Sequence, residues 1–405
     1  MSRPANVLYL VDGLGLSGKT KAMVDLIGGL DPDRYRAHVI TFDTEGSPLH
    51  DRLRSLGVTV EEIHCPDRLN VGVMARIGTI VRRLRPDVFH CYNPRPMLYG
   101  GTVARMARVP ATLGTLSAFA CLTPDGQYRF LPQRLVSTSR RNRMRNRLAA
   151  WLVRAVVTVS PSLGRNFCRY NQIGLDRLHV VPYGVDVDRF ASIDADRVAA
   201  FRGRHNIAPE AIVIGSVGRL VEQKDYPTQM RAFALAAARN PALLMLLVGD
   251  GPLRGDIEAL AGSLGVAGRV RFAGHSNDVP VALRAMDVYV LASKFEPYGV
   301  AILEAKAAGT AIVATRVNEV PEILSEEQVG GEAAGRLVPP EDPQAMADAF
   351  VALAADPAAR QALGARAARE ARVKHSLQAA IAAYQGLYDQ LRGVRAQEVV
   401  AQAAF

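Results

Sequence analysis

Short, continuous apolar runs recur along this chain and alternate with stretches of helical spacing, from NVLYLVD at residues 6–12 to AIVATR at 311–316. Strands that are apolar on both faces must be covered on both faces, which parallel sheets flanked by helices achieve. Seven runs come first: NVLYLVD, AHVITFD, VTVEEIH, DVFHCYN, ATLGTLS, AVVTVS and LHVVPYG. A second series follows: IVIGSVG, LLMLLVG, RVRFAG, DVYVLAS and AIVATR. Helical stretches such as KTKAMVDLIGGL and PTQMRAFALAAARN lie between the strands, and PYGVDVDRFASIDADRVAA separates the two series. The pattern predicts an α/β protein of two Rossmann-like domains, residues 1–185 and 186–375, with a C-terminal helix at about 376–405 packing back on the first. A chain of 405 residues is long enough for two such cores. Ligands of these sheets bind at the carboxyl ends of the strands, so two facing sheets would form a cleft.

Composition narrows the setting. No apolar run approaches the ~20 residues of a membrane span, since the tightest, ALLMLLV, stops at Gly249-Asp250. NVLYLVD is too short for a signal peptide and ends in an acid. Cys65, Cys91, Cys121 and Cys168 are scattered without paired spacing, which points to free thiols in a reducing cytoplasm rather than disulfides or a metal site.

The net charge is +10, and the basic excess is concentrated: Gly126 to Leu175 contains ten Arg and no Asp or Glu. Within it, RRNRMRNRLAAWLVRA places Met144, Leu148, Trp151 and Leu152 on one helical stripe. Two readings stand. The helix packs on the first domain with its arginines in water, or Arg141, Arg145 and Arg147 form part of a basic amphipathic face on anionic lipid. Nucleic acid is not expected as a partner, because no aromatic interleaving or groove-reading motif accompanies the charge.

Three motifs carry chemistry. GLGLSGKT at residues 13–20 matches the phosphate-loop pattern and would make Lys19 and Thr20 nucleotide ligands. However, the nearest Walker-B-like run, LLMLLVGD, lies more than 220 residues later in the other domain. IGSVGRLVEQKDY puts Gly218, Arg219 and Lys224 just after a strand, where two cations can clamp a diphosphate. ASKFEPYGVAILEAKAAG places Glu296 in a loop and Glu304 in a helix that begins near Tyr298-Gly299-Val300, whose free N–H groups suit an anion. Three Asp-x-Asp pairs, 31/33, 186/188 and 194/196, fall in loops or the linker, and no metal is expected at them.

With these residues in view, the chain resembles the family-four retaining glycosyltransferases of the GT-B fold along nearly its whole length. GRLVEQKDYPTQMRAFA is similar to the family's G-R-L-x-x-x-K-G element, LLMLLVGDGPLRGD to its V-G-D-G-P-x-R element, and Glu296 and Glu304 reproduce its E-x7-E signature. VTVSPSL and VVPYGVDVDRF resemble V-x-V-S and V-I-P-N-G-V-D-x-x-x-F, with Tyr183 in place of Asn. DGLGLSGKT is similar to the family's N-terminal glycine-rich loop, with Thr20 in place of Glu.

The resemblance implies a metal-independent transfer of a sugar from a nucleoside-diphosphate sugar to a glycan or lipid-linked acceptor, in cell-surface polysaccharide or glycolipid synthesis. It implies that Arg219 and Lys224 neutralise the departing diphosphate, that Glu296 holds hydroxyls of the transferred sugar, and that Glu304 holds the ribose. Ser17, Gly18, Gly218, Gly249, Tyr298, Gly299 and Val300 are its implied donor-binding positions. The chain departs from the family in three places. Ser117 stands where the family often carries a histidine, Tyr92 replaces the second histidine of V-H-x-H-N-P, and NEVPE at Asn318–Glu322 replaces G-G-V-P-E. His90 and Ser117 remain candidates near the sugar or acceptor. Alternative readings are a non-catalytic GT-B protein that binds a sugar nucleotide and a phosphate-loop NTPase.

Overall fold

The computed structural model of the chain describes residues 3–15, 17–42, 46–66, 70–116, 121–122, 128–129, 140–276, 278–296, 298–324 and 333–394. Two units emerge, Met1–Gly184 with Leu377–Phe405, and Val185–Ser376. In the first, β1 (Ala5–Val11), β2 (Tyr35–Thr41), β3 (Thr59–Glu62), β4 (Val88–Tyr92) and β5 (Ala111–Leu116) lead to a two-stranded ribbon, β6 (Cys121–Leu122) with β7 (Tyr128–Arg129). The strands β8 (Ala155–Thr158) and β9 (Leu178–Val180) complete the sheet. The main sheet is parallel, ordered β3-β2-β1-β4-β5-β8-β9. Its middle strands β4 and β5 are buried at every residue, which explains why they read as unbroken apolar runs. Among the described residues the α-helices between these strands are α1 (Gly18–Gly28), α2 (Pro48–Ser55), α3 (Val71–Leu84), α4 (Pro94–Met106), α5 (Arg140–Leu152) and α6 (Pro161–Asn171).

The second unit repeats the plan with α7 (Val187–Ala191), α8 (Ala195–Arg204), β10 (Ile212–Val217), α9 (Tyr226–Arg239), β11 (Leu243–Val248), α10 (Arg254–Ser263), β12 (Val270–Gly274), α11 (Val279–Arg284) and β13 (Val288–Leu291). The chain continues through α12 (Val300–Ala307), β14 (Ala311–Thr315), α13 (Val320–Ile323), β15 (Arg336–Val338), α14 (Pro343–Ala355) and α15 (Pro357–Lys374). The sheet is parallel, ordered β12-β11-β10-β13-β14-β15. One core face gathers Met245, Leu247, Val288, Val290 and Val313 under Phe233 of α9 and Phe350 of α14. Both sheets thus have the order of a doubly wound α/β fold.

Each Asp-x-Asp pair has a local structural task. Asp31 accepts the N–H of Asp33, Asp186 caps α7 at Arg189, and Asp194 caps α8 at Asp196, the usual work of aspartate at turns and helix starts. The last helix, α16 (Leu377–Arg392), belongs to the first unit and buries Tyr384, Leu387 and Tyr388 in its core. No described helix is long and apolar enough to cross a membrane.

Candidate functional site

In the second unit, β10 and β13 are neighbours whose connections leave in opposite directions, a switch point that opens a crevice at their carboxyl ends. β10 runs into Gly218 and Arg219, then a 3-10 turn at Glu222–Lys224, then α9. Arg219 is exposed and has no side-chain partner among the described residues. Lys224 crosses the switch point: its Nζ lies 2.5 Å from Oε2 of Glu296, in the loop after β13. The Ser293 hydroxyl donates to the same carboxylate oxygen at 3.1 Å. Glu296 is buried and Lys224 nearly so, so the ion pair works in a medium less screening than water.

The backbone of Glu296 is held from the end of β14, where Asn318 Oδ1 accepts its N–H at 3.2 Å. Asn318 sits at φ 45, in the left-handed region that asparagine tolerates better than most residues with a side chain. The first residue of NEVPE therefore adopts a conformation that glycine favours and adds a side-chain hydrogen bond that glycine could not make. Sequence reasoning noted the departure without seeing its use. The signal was a residue suited to the left-handed region at a turn after a strand.

The V-G-D-G-P turn supports the loop of Arg219. Gly249 sits at φ 134, and a Cβ there would lie 1.9 Å from the Gly218 carbonyl oxygen. Leu220 donates its N–H to Asp250 O at 3.0 Å and accepts from Leu253 at 3.1 Å. The two loops therefore press together backbone to backbone, an approach only glycine permits. On the other side of the crevice, Gly299 at φ 83 starts α12 without a side-chain cap or an acidic residue in the first turn. Its N-terminal N–H groups carry the positive end of the helix dipole. Tyr298 is buried just before this helix, Val300 opens it, and Glu304 is buried about one turn in. Burial raises the Tyr289 hydroxyl well above its usual range, with Glu296, Tyr226 and Glu304 adding to the effect. Burial also lifts Tyr226 to about 12, with Glu296 contributing.

The first unit places Ser17 and Gly18 at the start of α1. Ser17 Oγ accepts the Thr20 N–H at 3.4 Å and pairs with the Thr20 hydroxyl at 2.8 Å, so Ser17 caps the helix and engages the hydroxyl of the phosphate-loop pattern. Burial pulls the Lys19 pKa down against the opposing pull of Asp12. Asp12 in turn accepts from Asn93 Nδ2 at 3.2 Å, a pairing of the β1 and β4 ends that sequence reasoning missed. The Walker-B-like run is β11, in the sheet of the other unit.

His90 is corrected from a candidate near the sugar to a structural residue. It is 0% exposed, with Nδ1 2.8 Å from the Tyr388 hydroxyl and Nε2 2.7 Å from Thr115 Oγ1. Tyr9 joins Tyr388 at 3.0 Å and Tyr384 joins Thr115 at 3.1 Å. Burial lowers the imidazole pKa to about 3, so the ring is neutral, with Nδ1 bonded to α16 and Nε2 to Thr115 of the neighbouring strand β5. Ser117 lies outside the described residues.

Two family profiles match the chain. Glycosyltransferase Family 4 covers residues 17–189 and Glycosyl transferases group 1 covers residues 198–370. Among curated relatives, the lipopolysaccharide core biosynthesis glycosyltransferase LpsE of Rhizobium meliloti is 39% identical over 169 residues, 42% of this chain and 47% of its own. The alpha-D-kanosaminyltransferase of Streptomyces kanamyceticus is 30% identical over 226 residues, 55% of this chain and 57% of its own. The matches thus span about half the length of these relatives. Among solved structures, Anabaena Alr3699/HepE in complex with UDP superimposes with a TM-score of 0.79 at 18% identity, covering 95% of this chain and 100% of that one. The same protein with UDP-glucose gives 0.75 at 19% identity, covering 96% and 100%. Two doubly wound sheets, a glycine-clamped arginine loop and an E-x7-E pair at the switch point, matched by profiles over both halves, place this chain in the group 1, family-four glycosyltransferases of the GT-B fold.

Proposed function

We propose that the chain is a retaining, metal-independent glycosyltransferase that moves a sugar from a nucleoside-diphosphate sugar to an acceptor hydroxyl. The observation that carries this reading is the Lys224–Glu296 pair across the β10/β13 switch point, with exposed Arg219 and the uncapped start of α12 beside it. Cations and a helix N-terminus at one crevice suit a diphosphate that gains charge as it departs, and preorganised charge of this kind is usually the largest catalytic contribution. Arg219 and Lys224 meet that charge. Lys224 also orients Glu296, whose carboxylate accepts hydrogen bonds from the transferred sugar. Glu304 accepts from the nucleotide ribose. The acceptor oxygen forms its bond to the anomeric carbon on the face from which the diphosphate leaves, as the sugar–phosphate bond breaks and the hydroxyl proton passes to the departing diphosphate oxygen.

The HepE complexes with UDP and UDP-glucose support a nucleoside-diphosphate sugar as donor. LpsE, a lipopolysaccharide core enzyme by name, supports a cell-surface glycan or lipid-linked acceptor. The buried free thiols of Cys65, Cys91 and Cys168 agree with a reducing cytoplasm.

The test is steady-state transfer with a panel of sugar nucleotides, with the product's anomeric configuration read by NMR. Replacing Arg219 or Lys224 by Ala lowers kcat on the order of 10²- to 10³-fold, and Glu304→Gln raises the donor KM more than it lowers kcat. Inverted product, near-normal kcat in both cation variants, or strict dependence on added Mg²⁺ overturns the proposal.

A further inference from the structure

The basic helix α5 faces the solvent with its apolar side chains. Met144 is 64% exposed, Leu148 49% and Trp151 55%. At i, i+4 and i+7 they fall within about 60° of one another around the helix axis. The opposite face, Asn146, Ala149, Ala150 and Val153, is the one buried against the unit. Of the expected stripe only Leu152 is buried; the other three members face the solvent. Alanines make the packing surface, and those three large apolar groups are left outside.

Their surroundings are cationic. Arg140, Arg143 and Arg147 are exposed along one flank of the stripe. On the adjacent α4, Arg105 stacks over the Trp151 ring at 4.2 Å, and the next residue, Met106, is 81% exposed. Arg145, which the sequence placed among the lipid-facing arginines, is partly buried with its Nε withdrawn from solvent. The Arg141 side chain lies outside the described residues. No acidic residue occurs between Gly126 and Leu175 to neutralise this surface.

We infer that Met144, Leu148 and Trp151, flanked by Arg140, Arg143, Arg147 and Arg105, form a docking face for an anionic lipid surface. Exposed apolar side chains gain by entering the boundary between headgroups and acyl chains, and arginines beside them gain from anionic headgroups. A tryptophan at the edge of such a face suits the interface, being apolar in body with one N–H for the wet side. A charged surface alone would fit any polyanion, and an apolar stripe alone would fit a second protein. The two together on one helix face favour the lipid. The inference is independent of the donor chemistry and stands or falls without it.

Trp151 is the only tryptophan of the chain, so its fluorescence reports this face directly. The full chain is titrated with vesicles of phosphatidylcholine containing one quarter phosphatidylglycerol, and with vesicles of phosphatidylcholine alone. A blue shift and co-sedimentation with the first, weakening as salt rises, are expected. Leu148→Ser combined with Met144→Ser should lower the partition coefficient on the order of tenfold or more. Arg143→Gln and Arg147→Gln should each lower it about fivefold. Because all four side chains are exposed, thermal unfolding and sugar transfer to a soluble acceptor should stay at wild-type values, which separates lost docking from lost folding. The inference is overturned by any of three results. These are no binding to the anionic vesicles, equal binding to neutral ones, or a concentration-dependent dimer in sedimentation that the Ser variants abolish.

Discussion

Replacing His90 by Gln distinguishes a structural histidine from a catalytic one. In the folded chain the ring is fully buried, hydrogen-bonded at both nitrogens, and holds its pKa near about 3. In the unfolded chain it titrates at about 6.5. A group whose folded pKa is depressed in this way favours folding while the pH stays above 6.5, roughly, and loses that advantage as the unfolded state takes up the proton. Between about pH 7.5 and about pH 5 the loss comes to about 2 kcal/mol, from the population of protonated imidazole in the unfolded state alone. The assay is urea unfolding of the first unit, followed by the fluorescence of Trp151, at both pH values for wild type and His90→Gln. Other histidines contribute equally to both proteins, so the difference isolates His90. Wild type should lose about 2 kcal/mol more than the variant on acidification. At neutral pH the variant is less stable, yet its kcat/KM per folded molecule is close to wild type. Equal pH dependence in the two proteins would refute the burial argument, and a loss of kcat/KM on the order of 10²-fold in folded variant would restore a catalytic role.

The same cluster carries an alkaline counterpart. Burial raises the Tyr384 pKa to about 12 and also lifts Tyr9, so stability holds below about pH 10 and is lost above it as the unfolded tyrosines ionise, which a pH series of thermal unfolding curves checks. Gly249→Ala forces a Cβ to within 1.9 Å of the Gly218 carbonyl oxygen and displaces the Arg219 loop. It should lower kcat/KM about 10²-fold with far-UV dichroism unchanged, and a change under threefold, roughly, would count against the clamp. Lys306, 0% exposed, donates to Ile323 O at 2.7 Å and to Glu370 at 2.8 Å. Its replacement by Ala should cost roughly 3 kcal/mol or more by leaving a cavity, an unmet Ile323 carbonyl and a Glu370 carboxylate that has lost its lysine, with Met costing less because it refills the space.

Much of the fold was legible because buried parallel strands announce themselves. Each of the twelve apolar runs contains a strand, and β15 was missed because Arg336–Val338 is an edge strand of only three residues, too short to stand out as a run. Arg219, Lys224 and the Glu296–Glu304 spacing were legible as local motifs. Their mutual geometry was not, since Lys224 and Glu296 are joined 72 residues apart. Nor was the fate of His90, decided by Tyr388, 298 residues further along the chain. In α5 the stripe was read correctly for Met144, Leu148 and Trp151 but not for Leu152, which is buried, and a stripe does not say which way it faces. Only the packing of Ala149 and Ala150 against the unit turns Met144, Leu148 and Trp151 outward.

The central claim is that a nucleoside diphosphate is held at the carboxyl ends of β10 and β13. Calorimetric titration of a panel of nucleoside diphosphates into the wild-type chain, Arg219→Ala and Lys19→Ala tests it most directly. Binding to wild type, weakened on the order of 10- to 100-fold in Arg219→Ala by loss of a charge-assisted contact and kept within about threefold in Lys19→Ala, is the expected result. Binding abolished by Lys19→Ala and untouched by Arg219→Ala would contradict it and move the nucleotide to the phosphate-loop pattern of the first unit.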